Sequence, residues 1–160
     1  MEELFHKALT LRKNGEVQEA LQIFKHLLKE DPNNALLHYQ CACSYDNLGK
    51  EREAVPYYEE ALDIGLDREN TKGAMLGLGS TYRTLGRYMD SKSLLEKALV
   101  EFPNELQFQV FYAMTLYNLK QYSKAMELLL KCLTTTTNNK EILAYKNAID
   151  FYSDKLDQTW

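Results

Sequence analysis

The stretch from Gly15 to Pro32 reads GEVQEALQIFKHLLKEDP, and its pattern returns along the 160-residue chain. The opening glycine recurs as Gly49 and Gly86, after 34 and then 37 residues. Five positions after the glycine stands a column of small residues, and four positions later stands a column of large ones. These columns are Ala20, Ala54, Ser91 and Ala125, followed by Phe24, Tyr58, Leu95 and Leu129. Self-similarity at such a period indicates a repeat architecture.

Within each unit the apolar residues are spaced three and four apart, which predicts helices. In the first unit, one apolar face runs from Leu4 to Leu11 and is ended by Asn14-Gly15-Glu16. A second face runs from Ala20 to Leu28, and Pro32 lies just beyond its end. Each unit is therefore predicted to be a helix hairpin that buries its apolar face only by stacking on a neighbour.

Ala20, Phe24 and Pro32 stand at the spacing of the tetratricopeptide repeat, and the chain resembles that family in four registered copies. Less specifically, it resembles small bacterial repeat proteins of this kind. The resemblance implies an all-α fold, a right-handed superhelix of four helix hairpins plus a C-terminal capping helix. It implies a single domain over 1–160. Its repeats are expected at about 1–34, 35–68, 72–105 and 106–139, with the capping helix at 140–157.

The repeats also depart from the family pattern in two ways. The early tryptophan of the family is replaced by Leu4, His38, Met75 and Gln109 in turn. In the fourth unit, Lys120 occupies the place where glycine is usual between the helices.

Charge and composition argue against several classes of function. A formal net charge of −4 argues against nucleic acid as a partner, because phosphates require a basic surface. No apolar run reaches the roughly 18 residues of a membrane span, so we expect no membrane partner. The three cysteines follow no disulfide framework, and we expect reduced thiols in a cytoplasmic protein.

Three features could carry chemistry, and the sequence favours a structural role for each. His38, Cys41 and Cys43 are too few ligands for zinc, and helical periodicity points the two thiols apart. Cys43 could face solvent as a nucleophile, but neighbouring Asp46 would raise the pKa of its thiol. The glycines from Gly73 to Gly79 match no phosphate-binding fingerprint and are expected to permit close helix packing. We therefore expect no catalytic residue, no metal and no cofactor.

The resemblance implies that the first helix of each hairpin lines a concave groove that binds a protein or peptide. An alternative is that the superhelix is tight enough to bury these positions partly against their neighbours. The positions lack the cationic pattern of family members that grip a chaperone's carboxylate tail, so we expect an apolar or amphipathic ligand. The predicted groove residues are Phe5, Leu9, Arg12, Tyr39, Cys43, Leu76, Ser80, Arg83, Val110, Met114 and Tyr117.

A second hypothesis is self-association, as a homodimer formed through the groove or the C-terminal helix. Phe151, Tyr152, Leu156 and Trp160 give the C-terminal segment an apolar side that could dock on a second copy. The alternative is that this segment covers the end of its own solenoid or is disordered.

Overall fold

A computed structural model describes every residue from Met1 to Trp160, and all of its regular structure is helical. The predicted all-α class is confirmed. The chain divides into two compact units, Met1–Arg87 and Tyr88–Trp160. The first unit contains α1 (Glu2–Lys13), α2 (Val17–Glu30), α3 (Ala35–Asn47), α4 (Glu51–Ile64) and α5 (Arg68–Thr84). The second contains α6 (Tyr88–Glu101), α7 (Gln107–Asn118), α8 (Tyr122–Thr136), α9 (Lys140–Ala144) and α10 (Lys146–Tyr152).

Helices that are adjacent in sequence pack together within each unit. In the first unit, α1 packs on α2, α2 on α3, α3 on α4, and α4 on α5. In the second unit, α6 packs on α7, and α7 on α8. The small-residue column lies at these contacts: Ala20, Ala54 and Ser91 have no exposed surface, and Ala125 is only 4% exposed. Two helices approach this closely only where side chains are small.

The turns inside the hairpins need a left-handed residue. Gly15, Gly49 and Gly86 have φ of 91°, 65° and 77°. Lys120 holds the same conformation, with φ of 62°, although it carries a Cβ. The turn still closes, because the backbone N–H of Gln121 donates to the Leu116 carbonyl oxygen at 2.9 Å. The departure from glycine at Lys120 therefore leaves the turn intact but strains its backbone.

The C-terminal segment differs from the single helix expected over 140–157. It forms two short helices, because the backbone at Tyr145 turns out of the helical region, with φ of −105° and ψ of 10°. The second of them, α10, ends at Tyr152 and packs against α8. The Thr134 hydroxyl of α8 donates to Asp150 at 2.6 Å, and Ser123 donates to Asp157. The segment therefore attaches to α8 through polar contacts.

Replacing Lys120 with glycine is expected to raise the free energy of unfolding by about 0.5–1 kcal/mol. A left-handed residue with a Cβ costs about 1–2 kcal/mol, and the flexibility of glycine in the unfolded chain offsets part of the gain. Urea denaturation of the two proteins measures the difference.

Gly49→Lys is the matched control, because a Cβ at Gly49 meets nothing within 4 Å. The only cost of this substitution is therefore that lysine must adopt the left-handed backbone conformation of Gly49. It should lower the free energy of unfolding by a similar amount. Unchanged stability in both variants would contradict the assignment of strain to this turn position.

Candidate functional site

The predicted groove residues fall on the first helix of each hairpin and divide between the two units. Those of α1, α3 and α5 lie in the first unit and are all half-buried. Val110, Met114 and Tyr117 lie on α7 in the second unit, where Met114 is 37% and Tyr117 61% exposed. The residues of the first unit are Phe5, Leu9, Arg12, Tyr39, Cys43, Leu76, Ser80 and Arg83.

The α1 residues Phe5 and Leu9 pack against the core of the first unit. The Phe5 ring meets the buried Phe24 ring edge-on, with ring centroids 5.8 Å apart. Both side chains join the cluster that contains Ala8, Phe24 and Leu27. Phe5 is thus partly buried against its neighbours, which was the alternative considered for the groove positions. Phe5 also lines a cavity of about 270 Å³, together with Met1, Glu2, Leu27, Asn34, Leu36 and Leu37.

Arg12 joins α1 to α3. One guanidinium nitrogen donates to Gln40 Oε1 at 2.5 Å, and another donates to the Gln40 backbone oxygen at 3.2 Å. The guanidinium also lies 5.6 Å from the Phe24 ring centroid. Since Gln40 is buried, the bond to Oε1 gives a partner to a side-chain acceptor in the core, whereas the backbone oxygen also accepts from the Ser44 hydroxyl at 2.8 Å.

A polar network joins α3, α4 and α5. The Tyr58 hydroxyl of α4 donates to Asp46 Oδ2 at 2.7 Å and contacts Cys43 Sγ at 3.8 Å. The Thr81 hydroxyl of α5 lies 3.1 Å from Asp46 Oδ1 and 2.8 Å from the Gly77 carbonyl oxygen, so its one hydrogen is shared between two acceptors. Asp46 therefore receives hydrogen bonds from two other helices and fixes their spacing to α3.

Burial dominates the titration of this network. It raises the pKa of the Asp46 carboxyl above its ordinary value of 3.8, although hydrogen bonds from Tyr58 and Thr81 act in the opposite direction. Burial also raises the pKa of the Cys43 thiol, and Asp46 adds a smaller contribution with the expected sign. The same cause raises the pKa of the Tyr39 and Tyr58 hydroxyls. The thiol therefore stays protonated and is a poor nucleophile near neutral pH.

The glycines of α5 make room for these tyrosines. A Cβ built at Gly73 would overlap the Tyr39 hydroxyl oxygen, and one at Gly77 would lie 2.5 Å from the Tyr58 hydroxyl oxygen. The close packing expected for this glycine run is therefore confirmed at Gly73 and Gly77. Sequence reasoning missed which side chains fill the space, although Tyr58 stands in the large-residue column and could have suggested it.

The cluster of His38, Cys41 and Cys43 is not assembled as a metal site. The His38 Nε2 atom lies 2.9 Å from the Pro32 carbonyl oxygen, and its ring packs beside Tyr57. Cys41 is buried in the core of the first unit, and burial raises the pKa of its thiol to about 12. No group of three or more His, Cys, Asp or Glu side chains is arranged to hold a metal ion. None of the helices is both long and apolar enough to cross a bilayer.

Comparisons with known proteins identify the repeat. A family model described as "Tetratrico peptide repeat" matches residues 35–156, and another described as "Tetratricopeptide repeat" matches residues 4–34. A search of curated proteins found no match.

Several solved structures are similar. MamA from Desulfovibrio magneticus RS-1 is 18% identical with a TM-score of 0.76, covering 97% of this chain and 86% of that one. A tetratricopeptide repeat protein from Parabacteroides merdae ATCC 43184 is 18% identical with a TM-score of 0.75, covering 92% and 57%. PilF from Pseudomonas aeruginosa is 16% identical with a TM-score of 0.70, covering 94% and 67%. At these identities, the structural similarity shows a shared fold and nothing more.

Gly73→Ala is expected to lower the free energy of unfolding by about 1–3 kcal/mol, because the added methyl group overpacks against the Tyr39 hydroxyl. In a Tyr39→Phe background the oxygen is gone and the nearest atom is the ring Cζ, 3.2 Å from the added Cβ. The same change should then cost much less, since the remaining tight contact is offset by the helix preference for alanine over glycine of about 1 kcal/mol. A double-mutant cycle in urea measures the coupling.

Tyr58→Phe serves as the control background, because Tyr58 abuts Gly77 and not Gly73. Gly73→Ala should remain destabilising there. Rescue by Tyr58→Phe as strong as rescue by Tyr39→Phe would contradict the described contact.

Asp46→Asn is expected to gain stability relative to the wild type as the pH rises from about 3 to about 7. Because the folded pKa of Asp46 is raised, the folded wild type binds more protons than the unfolded chain does. The stability that this proton binding contributes to the wild type is complete below the pKa of Asp46 in the unfolded chain. It is lost as the pH rises through the pKa of Asp46 in the folded protein. Urea denaturation of both proteins across this range measures the difference, and a difference that moves in favour of the wild type would contradict the assignment.

Proposed function

We propose that this chain, which belongs to the tetratricopeptide repeat family, is a non-catalytic interaction module that binds an apolar or amphipathic protein segment. The segment is bound by the first helices of the hairpins, with each unit considered by itself. In the first unit the binding face is formed by α1, α3 and α5. On α7 of the second unit, Val110, Met114 and Tyr117 occupy the corresponding positions.

The observation that carries the proposal is the polar bracing of this face. Arg12 joins α1 to α3 through Gln40, and Asp46 joins α3 to α5 through Thr81. These bonds hold the three helices in fixed register before any ligand arrives. A surface that is already ordered loses less conformational entropy on binding.

The chemistry of the face supports an apolar ligand. In the first unit, Leu9 and Leu76 stand half-buried beside the polar bracing. In the second unit, taken by itself, Met114 and Tyr117 are exposed on α7. Removing half-buried and exposed apolar groups from water on binding lowers the free energy of the complex. An amphipathic helix offers the matching apolar stripe.

Two further properties belong to the proposal. Absence of catalysis is supported by the raised pKa of Cys43, which leaves the thiol of the face little nucleophilic thiolate. A cytoplasmic location is supported by Cys41, Cys43 and Cys132, which are all free thiols and suit a reducing compartment.

The test is selection of peptides from a random library displayed on phage, followed by calorimetry and amide chemical-shift mapping. A selected peptide should perturb amides of α1, α3 and α5. Leu76→Asp should raise its Kd at least tenfold, because a carboxylate replaces an apolar contact.

Gln22→Asp is the matched control. Gln22 is exposed on α2, so the substitution introduces the same charge outside the face. Its Kd should be unchanged, and circular dichroism checks that both variants fold. Perturbations that cluster on α2 and α4, or equal effects of the two variants, would overturn the proposed face.

A further inference from the structure

The large-residue column is covered in three repeats and open in the fourth. Phe24 and Leu95 have no exposed surface, and Tyr58 is 3% exposed. Each belongs to the second helix of a hairpin, against which the next helix of its unit packs. Leu129 occupies the same position on α8 and is 37% exposed. The second unit therefore ends in a receptor surface for a helix that its own chain does not place there.

The open surface is a stripe along α8, formed by Tyr122, Met126, Leu129 and Leu133. These residues lie within about 60° of one another around the helix. They are 37–52% exposed. The helix α10 leaves them open because its segment is fastened to a neighbouring side of α8, through Ser123 and Thr134.

We propose that a second copy of this chain covers the α8 stripe and the adjacent C-terminal segment in a two-fold symmetric dimer. The segment after α8 adds further exposed apolar side chains: Leu143, Tyr145, Phe151, Tyr152, Leu156 and Trp160. At about 200 Å² for a large side chain, the exposed fractions amount to about 1,000 Å². This apolar area is of the same order as the about 800 Å² that each partner buries in a stable dimer.

The other end of the chain is a less favourable partner surface than a second α8 stripe. In α3, Leu37, Cys41 and Ser44 are buried, and the first two belong to the cluster shared with α2. The residues 34 positions earlier, on α1, are Glu3, Lys7 and Thr10, and all three are exposed. Placing α1 of a second copy on the α8 stripe would remove a carboxylate and an ammonium group from water and set them against apolar side chains, which costs desolvation free energy even when the two pair with each other. This cost disfavours head-to-tail stacking through α1, whereas a contact between two α8 stripes does not incur it.

Like surfaces meet without charge repulsion here. Residues 120–160 contain six lysines and five acidic residues, and no arginine or histidine. Many of these charges are already neutralised: Lys131 pairs with Glu127 at 2.5 Å, Lys146 with Asp150 at 2.9 Å, and Lys155 with Asp154 at 2.5 Å. A nearly neutral surface can face its own copy, whereas a strongly charged one would repel it.

The test is the mass of the full chain in solution, measured by light scattering and sedimentation from about 1 µM to about 1 mM. The wild type should form a dimer in this range. Met126→Lys and Leu129→Lys should each raise the dimer Kd at least tenfold, because each places a charge in the apolar contact. Met126 is more exposed than Leu129, so Met126→Lys decides if the Leu129 variant folds poorly.

Val100→Lys is the matched control, because Val100 is an 83% exposed apolar residue on α6 of the same unit. It should leave the dimer unchanged. A monomer at every concentration would overturn the proposal and leave the stripe to a different protein. A dimer insensitive to both α8 variants, or a ladder of larger oligomers, would overturn it as well. Peptide binding at α1, α3 and α5 is a separate measurement that does not depend on this result.

Discussion

Contact between helices at alanine-sized positions is the constraint on which the rest of the structure depends. Ala20 and Ala54 have no exposed surface, and the large residue one turn later, Phe24 or Tyr58, is buried with them. Because the small residue lets the backbones approach, the large one reaches across to the next helix. The same arrangement recurs with Ser91. This polar residue is tolerated in the buried contact because its hydroxyl oxygen lies 2.9 Å from the hydroxyl oxygen of Thr115, within hydrogen-bonding distance. Spacing between helices is thus set locally, one contact at a time.

That spacing decides what the face of α1, α3 and α5 can do. Once α4 and α5 approach closely, Tyr58 meets the backbone of α5, and glycine is required at Gly77. The tyrosine hydroxyl then reaches Asp46, whose half-buried carboxylate also accepts a hydrogen bond from Thr81. A polar network in the floor of the face is therefore a consequence of core packing, and its hydrogen bonds hold the surface in one arrangement.

The helices and turns were predictable from sequence because their causes are local. Apolar periodicity and the glycines of the turns are enough to predict the hairpins. The face was less predictable: Phe5 belongs largely to the core, and the partners of Arg12 and Asp46 lie 28 and 35 residues away. The single C-terminal helix was wrong because apolar residues of helical spacing continue through Tyr145, while the helical backbone does not. The long-range pairings of Arg12 and Asp46 leave no periodic pattern in one sequence.

The contrast between polar Glu3 and Lys7 on α1 and the apolar stripe on α8 gives the array a direction of growth. An additional hairpin inserted after α8 finds Met126 and Leu129 ready to accept its first helix. One inserted before α1 meets an ionised surface that it would have to strip of water. Internal duplication can therefore lengthen this protein at its C-terminal side with few accompanying substitutions. Lengthening at the N-terminal side first requires the charged residues Glu3 and Lys7 on α1 to be replaced by apolar ones.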